Sequence, residues 1–85
     1  MKNKQINDID PRVRREQLRR QEIHLAILQA AEKIIIAKGF SAMTMNDVAS
    51  EARLSKATLY KYIPSRNRIL YEIVSRHLQE WENKV

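Results

Sequence analysis

Between Arg53 and Arg68 the chain carries five basic side chains, Arg53, Lys56, Lys61, Arg66 and Arg68, and no acidic one, a local charge of +5. Interleaved with them are the hydroxyls of Thr58, Tyr60 and Tyr62, groups that donate to phosphate oxygens without needing a counter-charge. Cations and hydroxyls alternating in this way suit an anionic polymer, and a merely solvated basic face is the ordinary alternative. Nothing comparable supports catalysis. Ser41, Ser50, Ser55, Ser65 and Ser75 lack a nucleophile signature. His24 and His77 are far apart and each lacks a second nearby His, which argues against a metal site. With no Cys in the chain, disulfides, thiolate metal sites and cysteine nucleophiles are excluded. The expectation is no enzyme, no cofactor and no metal.

These side chains must be positioned by a small scaffold. Eighty-five residues suit a single domain, which buries only about 60–65% of its unfolded surface and leaves little room for a large cleft. Lys and Arg outnumber Asp and Glu 16 to 10, a net charge of +6, and 44% of residues are hydrophobic, so the chain is expected to fold and to meet an anionic partner. One Gly and two Pro leave little of the turn punctuation a multi-stranded sheet needs, and the abundance of helix formers points to an all-α fold. No apolar run approaches the roughly 20 residues that span a bilayer, and the N-terminus lacks a signal-peptide apolar stretch. A soluble, unexported, cytoplasmic protein is expected, with no membrane partner.

Residues 1–22 hold seven basic and four acidic residues and read as a partly flexible basic arm, with Pro11 as its hinge. Arg12 to Glu22 could continue the following helix, although that stretch has almost nothing to bury. The arm could enter a minor groove, follow the backbone of a nucleic acid, or be a solvated tail. From Ile23, the spacing of Ile27, Ala30 or Ala31, Ile34 and Ile35 predicts a first helix, closed by Gly39 as a left-handed cap after Lys38. Thr44 and Asp47 form the Thr-x-x-Asp start of a second helix over 45–52, with Met45, Val48, Ala49 and Ala52 on its apolar face. Ser55 caps a third helix over 56–62, ended by Pro64, with Leu59 and Ile63 facing inward. Ser65 caps a fourth over about 66–81, striped by Ile69, Leu70, Ile73, Val74 and Leu78. Its amino end, beside Arg66, offers free N–H groups to an anion, and Arg68–Glu72 and Glu72–Arg76 are spaced as ion pairs. Phe40 and Tyr71 are expected in the core, and Trp81 on the first helix or on a further domain. Two short helices joined by the three-residue turn Arg53-Leu54-Ser55 have the layout in which the second helix enters a DNA major groove.

The stretch ILQAAEKIIIAKGFSAMTMNDVASEARLSKATLYKYIPSRNRIL, residues 27–70, resembles the DNA-binding domain of the TetR family of bacterial transcriptional repressors. The matching positions are Gly39-Phe40, Thr44, Asp47-Val48-Ala49, Ser55-Lys56, Thr58-Leu59-Tyr60, Tyr62, Pro64-Ser65, Arg66 and Leu70. By that resemblance Thr44, Thr58, Tyr60, Tyr62 and Arg66 would hold phosphates, while Asn46, Lys56, Ala57 and Lys61 would approach base edges. The chain departs from the family pattern at Arg53, where Gly is usual and a left-handed conformation costs a side chain about 1 kcal/mol. It departs also at Ala57 (Gly), Ile63 (Phe), Arg66 (Lys) and Asn67 (an acidic residue). Ala57 puts a methyl where it could touch thymine.

The resemblance implies a repressor that covers a promoter operator, with two copies reading a near-palindromic double-stranded site. It implies a further all-helical domain for inducer binding and homodimerisation that these 85 residues do not include. The length favours an excised domain, largely monomeric, over a naturally short relative. The competing reading is a helical protein-interaction module, either one that pairs with a full-length regulator or a basic segment on an anionic membrane.

Overall fold

Asp10 and Pro11 begin the fold. The Asp10 carboxylate accepts a hydrogen bond from the Arg12 N–H at 2.8 Å, and Pro11 occupies the first helical turn, where its fixed φ suits the helix and its missing N–H goes unmissed. From there one helix, α1, runs unbroken over Pro11–Lys38. The computed structural model describes the backbone of residues 10–84 and the side chains of residues 10–81. The first nine residues of the expected arm lie outside it. Residues 11–22 belong to α1, the continuation that the sequence left open, and Pro11 is its first residue. The physical reason is cooperativity: the costly nucleus is supplied by the packed turns after Ile23, and good helix formers then propagate it backwards to a ready cap.

α1 stops at Gly39, whose N–H donates to the Ile35 carbonyl at 2.7 Å. The glycine has φ 86 and ψ 157. Its φ is positive as expected, but the extended ψ places it outside the left-handed helical cap, in a region essentially reserved for glycine. A 3-10 turn at Phe40–Ala42 leads to α2, Met45–Ala52, then α3, Lys56–Tyr62, and α4, Arg66–Lys84. The described residues are all-α, and none of their helices is long and apolar enough to cross a membrane.

The core lies where the four helices meet. α1 contributes Ile27, Leu28, Ala31 and Ile34, α2 contributes Met45, Val48 and Ala49, α3 Leu59, and α4 Ile69 and Ile73. Ile63 just after α3, and Met43 in the connection before α2, are fully buried as well. Phe40 packs at the margin. The apolar stripe expected on α4 is only half used: Leu70 is half-buried, and Val74, Leu78, Tyr71 and Trp81 are exposed. Tyr71 therefore stands outside the core it was expected to join. The four exposed side chains recur at steps of three and four residues, so they share one side of α4, a side that no described element covers.

Polar contacts fasten α4 to α1. His24 Nε2 meets Glu72 Oε1 at 2.5 Å, and His77 Nε2 meets Glu32 Oε2 at 3.1 Å. Arg68 donates to Glu72 at 2.8 Å, the expected pair. Arg76 turns instead to Glu32, at 3.7 Å, because Glu72 is already taken by Arg68 and His24. Burial pushes the Glu72 carboxyl up, but the hydrogen bonds from Arg68 and His24 outweigh it and hold the group below the usual carboxylate range.

Candidate nucleic-acid interface

Thr44 opens α2 through a reciprocal cap. Its hydroxyl accepts the Asp47 N–H at 3.0 Å, and the Asp47 carboxylate accepts the Thr44 N–H at 3.1 Å. A hydroxyl that accepts inward keeps its own proton free to donate outward, as a phosphate contact requires. Asp47 would repel that phosphate were its charge not answered: Lys38 stands 3.3 Å away. The hydrogen bonds from Thr44, followed by that from Lys38, lower the Asp47 pKa. Asn46 is exposed in the first turn of α2.

The turn that aims α3 is built on Arg53, at φ 60 and ψ 43 the non-glycine residue with positive φ among those described. Its N–H reaches the Ser50 carbonyl at 3.1 Å and the Leu54 N–H reaches that of Ala49 at 2.8 Å, the paired closure of a left-handed helix end. The resemblance left two outcomes at Arg53, a left-handed residue or a shifted turn, and the chain adopts the first. Ser55 then caps α3, accepting the Thr58 N–H at 3.1 Å and donating its own hydroxyl proton to Thr58 Oγ1 at 2.9 Å. The Thr58 hydroxyl is thus oriented and left with a proton to give away.

One side of α3 is apolar and buried, with Leu59 inside the core and Ile63 following it, both fully excluded from solvent. The other side presents Lys56, Ala57, Tyr60 and Lys61, all exposed, at the helical spacing that puts them on one face. Tyr60 stands in a shallow depression with Met45, Pro64 and Ser65. Tyr62 is half-buried; it packs on the core and borders a cleft with Lys61 and the α1 residues Arg20, Gln21 and His24.

Arg66 does not join the exposed set. Its Nη2 donates to the Phe40 carbonyl at 2.7 Å, and the guanidinium lies 4.5 Å from the Phe40 ring centroid. Turned into the domain, it braces the 3-10 turn against the start of α4, and the phosphate role expected of its side chain is withdrawn. Arg68 is also occupied, by Glu72 and by the Tyr71 ring at 5.3 Å. Of the five cations in this stretch, only Arg68 meets a carboxylate among the described residues, and Arg53, Lys56 and Lys61 stand exposed without one. Sequence reasoning missed Lys38 as the counter-charge of Asp47, a pairing between helices that periodicity within α1 does not reveal.

A short helix, a tight left-handed turn and a second short helix with its apolar side locked in the core and its cationic side open define a helix-turn-helix DNA-binding domain. The sequence profile described as "Bacterial regulatory proteins, tetR family" matches residues 27–73, and the chain belongs to that family. It is 39% identical over 49 residues to an uncharacterized HTH-type transcriptional regulator, YdeS, of Bacillus subtilis (strain 168), covering 58% of this chain and 25% of the relative. It is 29% identical over 56 residues to an uncharacterized HTH-type transcriptional regulator encoded in the lacX 3' region of Lactococcus lactis subsp. lactis, covering 66% of this chain and 29% of the relative. The matched stretch is thus less than a third of either regulator's length. No solved structure gives a significant match.

Proposed function

We propose that the chain binds double-stranded DNA sequence-specifically as the reading head of a repressor that blocks transcription by occupying an operator. The observation that carries this reading is the outer face of α3, where Lys56, Ala57, Tyr60 and Lys61 are exposed together on a helix anchored by buried Leu59. Asn46, Lys56, Ala57 and Lys61 approach base edges; Thr44, Thr58, Tyr60 and Tyr62 hold phosphates. The protein is no enzyme and needs no cofactor. In a full-length parent it acts as a homodimer, placing two α3 helices in successive major grooves of a near-palindromic site in the bacterial cytoplasm. The 85-residue chain alone is a weakly binding monomer.

The test is selection of a preferred duplex from random sequence, followed by titration of selected and random duplexes over a range of salt. The logarithm of affinity falls with the logarithm of salt by about 0.9 per phosphate contact. Lys61→Ala is expected to weaken the selected duplex more than the random one by about tenfold, the loss of one base contact. Tyr60→Phe is expected to weaken both alike. No enriched sequence together with a flat salt dependence would refute the proposal. The interaction-module reading draws on the exposed side of α4 holding Tyr71, Val74, Leu78 and Trp81; capture of a full-length regulator by a chain that binds no DNA would establish it instead.

A further inference from the structure

The family match begins at residue 27, whereas α1 begins at Pro11. The early turns of α1 have no core to join, since residues 11–22 are exposed throughout. They carry Arg12, Arg14, Arg15, Arg19 and Arg20 against Glu16 and Glu22. The amino end of a helix is its positive pole and favours acidic side chains, yet the first turn here has none. Among the described residues the only carboxylate at that end is the cap itself, Asp10, and the arginines crowd close behind it. Arg12 pairs loosely with Asp10 at 3.5 Å and Arg20 with Glu16 at 3.6 Å, in exposed positions where such pairs contribute little. Arg14, Arg15 and Arg19 meet no carboxylate among the described residues.

The second observation is where this rod lies. Glu16, Arg20, Gln21 and His24 of α1 line one open cleft of about 640 Å³ with Lys61 and Tyr62 of α3. Arg20 therefore adjoins the helix proposed to enter the groove, and the cleft gathers two cations, an amide, an imidazole and a phenol, with the Glu16 carboxylate already paired with Arg20 at 3.6 Å, around a space wide enough for a phosphodiester. A lipid surface is a poorer occupant: Val13 and Leu18, five residues apart, point to different sides of the helix and give it no apolar face.

We infer that the amino-terminal half of α1 is a second DNA-backbone element. Arg20 and Tyr62 close on a phosphate at the cleft, beside the base-reading Lys61, and Arg14, Arg15 and Arg19 follow phosphates outside the stretch read by α3. The inference rests on the DNA reading above, and its test separates the two.

The 85-residue chain is compared with a variant combining Arg14→Gln, Arg15→Gln, Arg19→Gln and Arg20→Gln, and with the corresponding fourfold Arg→Lys variant. Affinity for the selected and the random duplex is measured across a salt series. The Gln variant is expected to show a slope shallower by about 3.6, the loss of four phosphate contacts at 0.9 each, equally on both duplexes. The Lys variant is expected to keep the parental slope. Gln and Lys are both good helix formers, so circular dichroism should show parental helicity; should the fourfold variant melt early, Arg14→Gln with Arg15→Gln gives the same test with a shift of about 1.8. An unchanged slope in the Gln variants, with Lys61→Ala still losing its sequence preference, overturns the inference and leaves the DNA reading standing. Absence of DNA binding by the parent overturns both. Loss of binding to phosphatidylserine vesicles, with DNA binding intact, assigns the arginines to lipid and overturns the inference alone.

Discussion

Replacing Arg53 by Gly should stabilise the domain. Arg53 sits at φ 60 and ψ 43, where a side chain costs about 1–2 kcal/mol and glycine costs almost nothing. Glycine also frees the unfolded chain, which returns up to about 1 kcal/mol to the other side. The side chain has little to lose, being exposed and without an ion-pair partner among the described residues. The net expectation is a gain of about 0.5–1 kcal/mol, which for a domain of this size raises Tm by roughly 2–8 °C. Thermal melts followed by circular dichroism measure it. Arg53→Ala is the control, because it removes the same side chain and keeps the strain, so it should match or fall slightly below the parent. Arg53→Asn should lie between Ala and Gly, since asparagine tolerates the left-handed region. A Gly variant that melts at or below the Ala variant would show that the turn stores no strain and refute the reasoning.

Three further outcomes follow from the contacts described. Leu59→Ala removes a fully buried side chain and should cost about 2–5 kcal/mol, read as a large fall in the denaturation midpoint with DNA binding lost alongside folding. Arg66→Gln breaks the hydrogen bond to the Phe40 carbonyl and should cost about 1.5–3 kcal/mol while leaving the salt slope of DNA binding unchanged; a shallower slope at parental stability would restore Arg66 to the phosphate-holding set. Glu72 has a lowered pKa in the folded state, so the unfolded chain binds more protons. Its contribution is present above the unfolded carboxylate value and is lost as pH falls through the folded one. Glu72→Gln should therefore be less stable than the parent at neutral pH, with the gap closing in acid, and a gap independent of pH would contradict this.

The features legible in the sequence are those whose partners lie within a few residues. Thr44 and Asp47 are three positions apart, and their reciprocal cap forms as their types dictate. The same holds for Ser55 with Thr58 and for the position of the three-residue turn, Arg53 to Ser55, between the end of α2 and the start of α3. The buried stripes of α1, α2 and α3 follow helical period. What escaped depends on distance in sequence. Arg66 reaches Phe40 across 26 positions and His24 reaches Glu72 across 48, so nothing local marks Arg66 as inward-facing or Glu72 as unavailable to Arg76. Tyr71, Val74 and Leu78 have the period of a core stripe, but period says only that a side is apolar and not whether anything covers it. Asp10-Pro11 is a local start signal, but with almost nothing to bury after it the sequence leaves the extension over 11–22 open; an existing helix extends cheaply, and it does so here.

α1 is one rod of 28 residues, about 42 Å long at 1.5 Å per residue, and it is gripped only along its later turns. The twelve residues from Pro11 to Glu22 form an overhang of about 18 Å, which turns the helix into a lever with its fulcrum in the core. A tilt of about 10° at Ile27 would swing the tip, about 24 Å away, by some 4 Å, more than the roughly 3.4 Å of axial rise per phosphate on one strand. Small changes of side-chain volume at the fulcrum would thus be magnified at the tip, and substitutions among Ile23, Ile27 and Ala31 that barely alter melting would still shift the register in which the arginines meet whatever they bind.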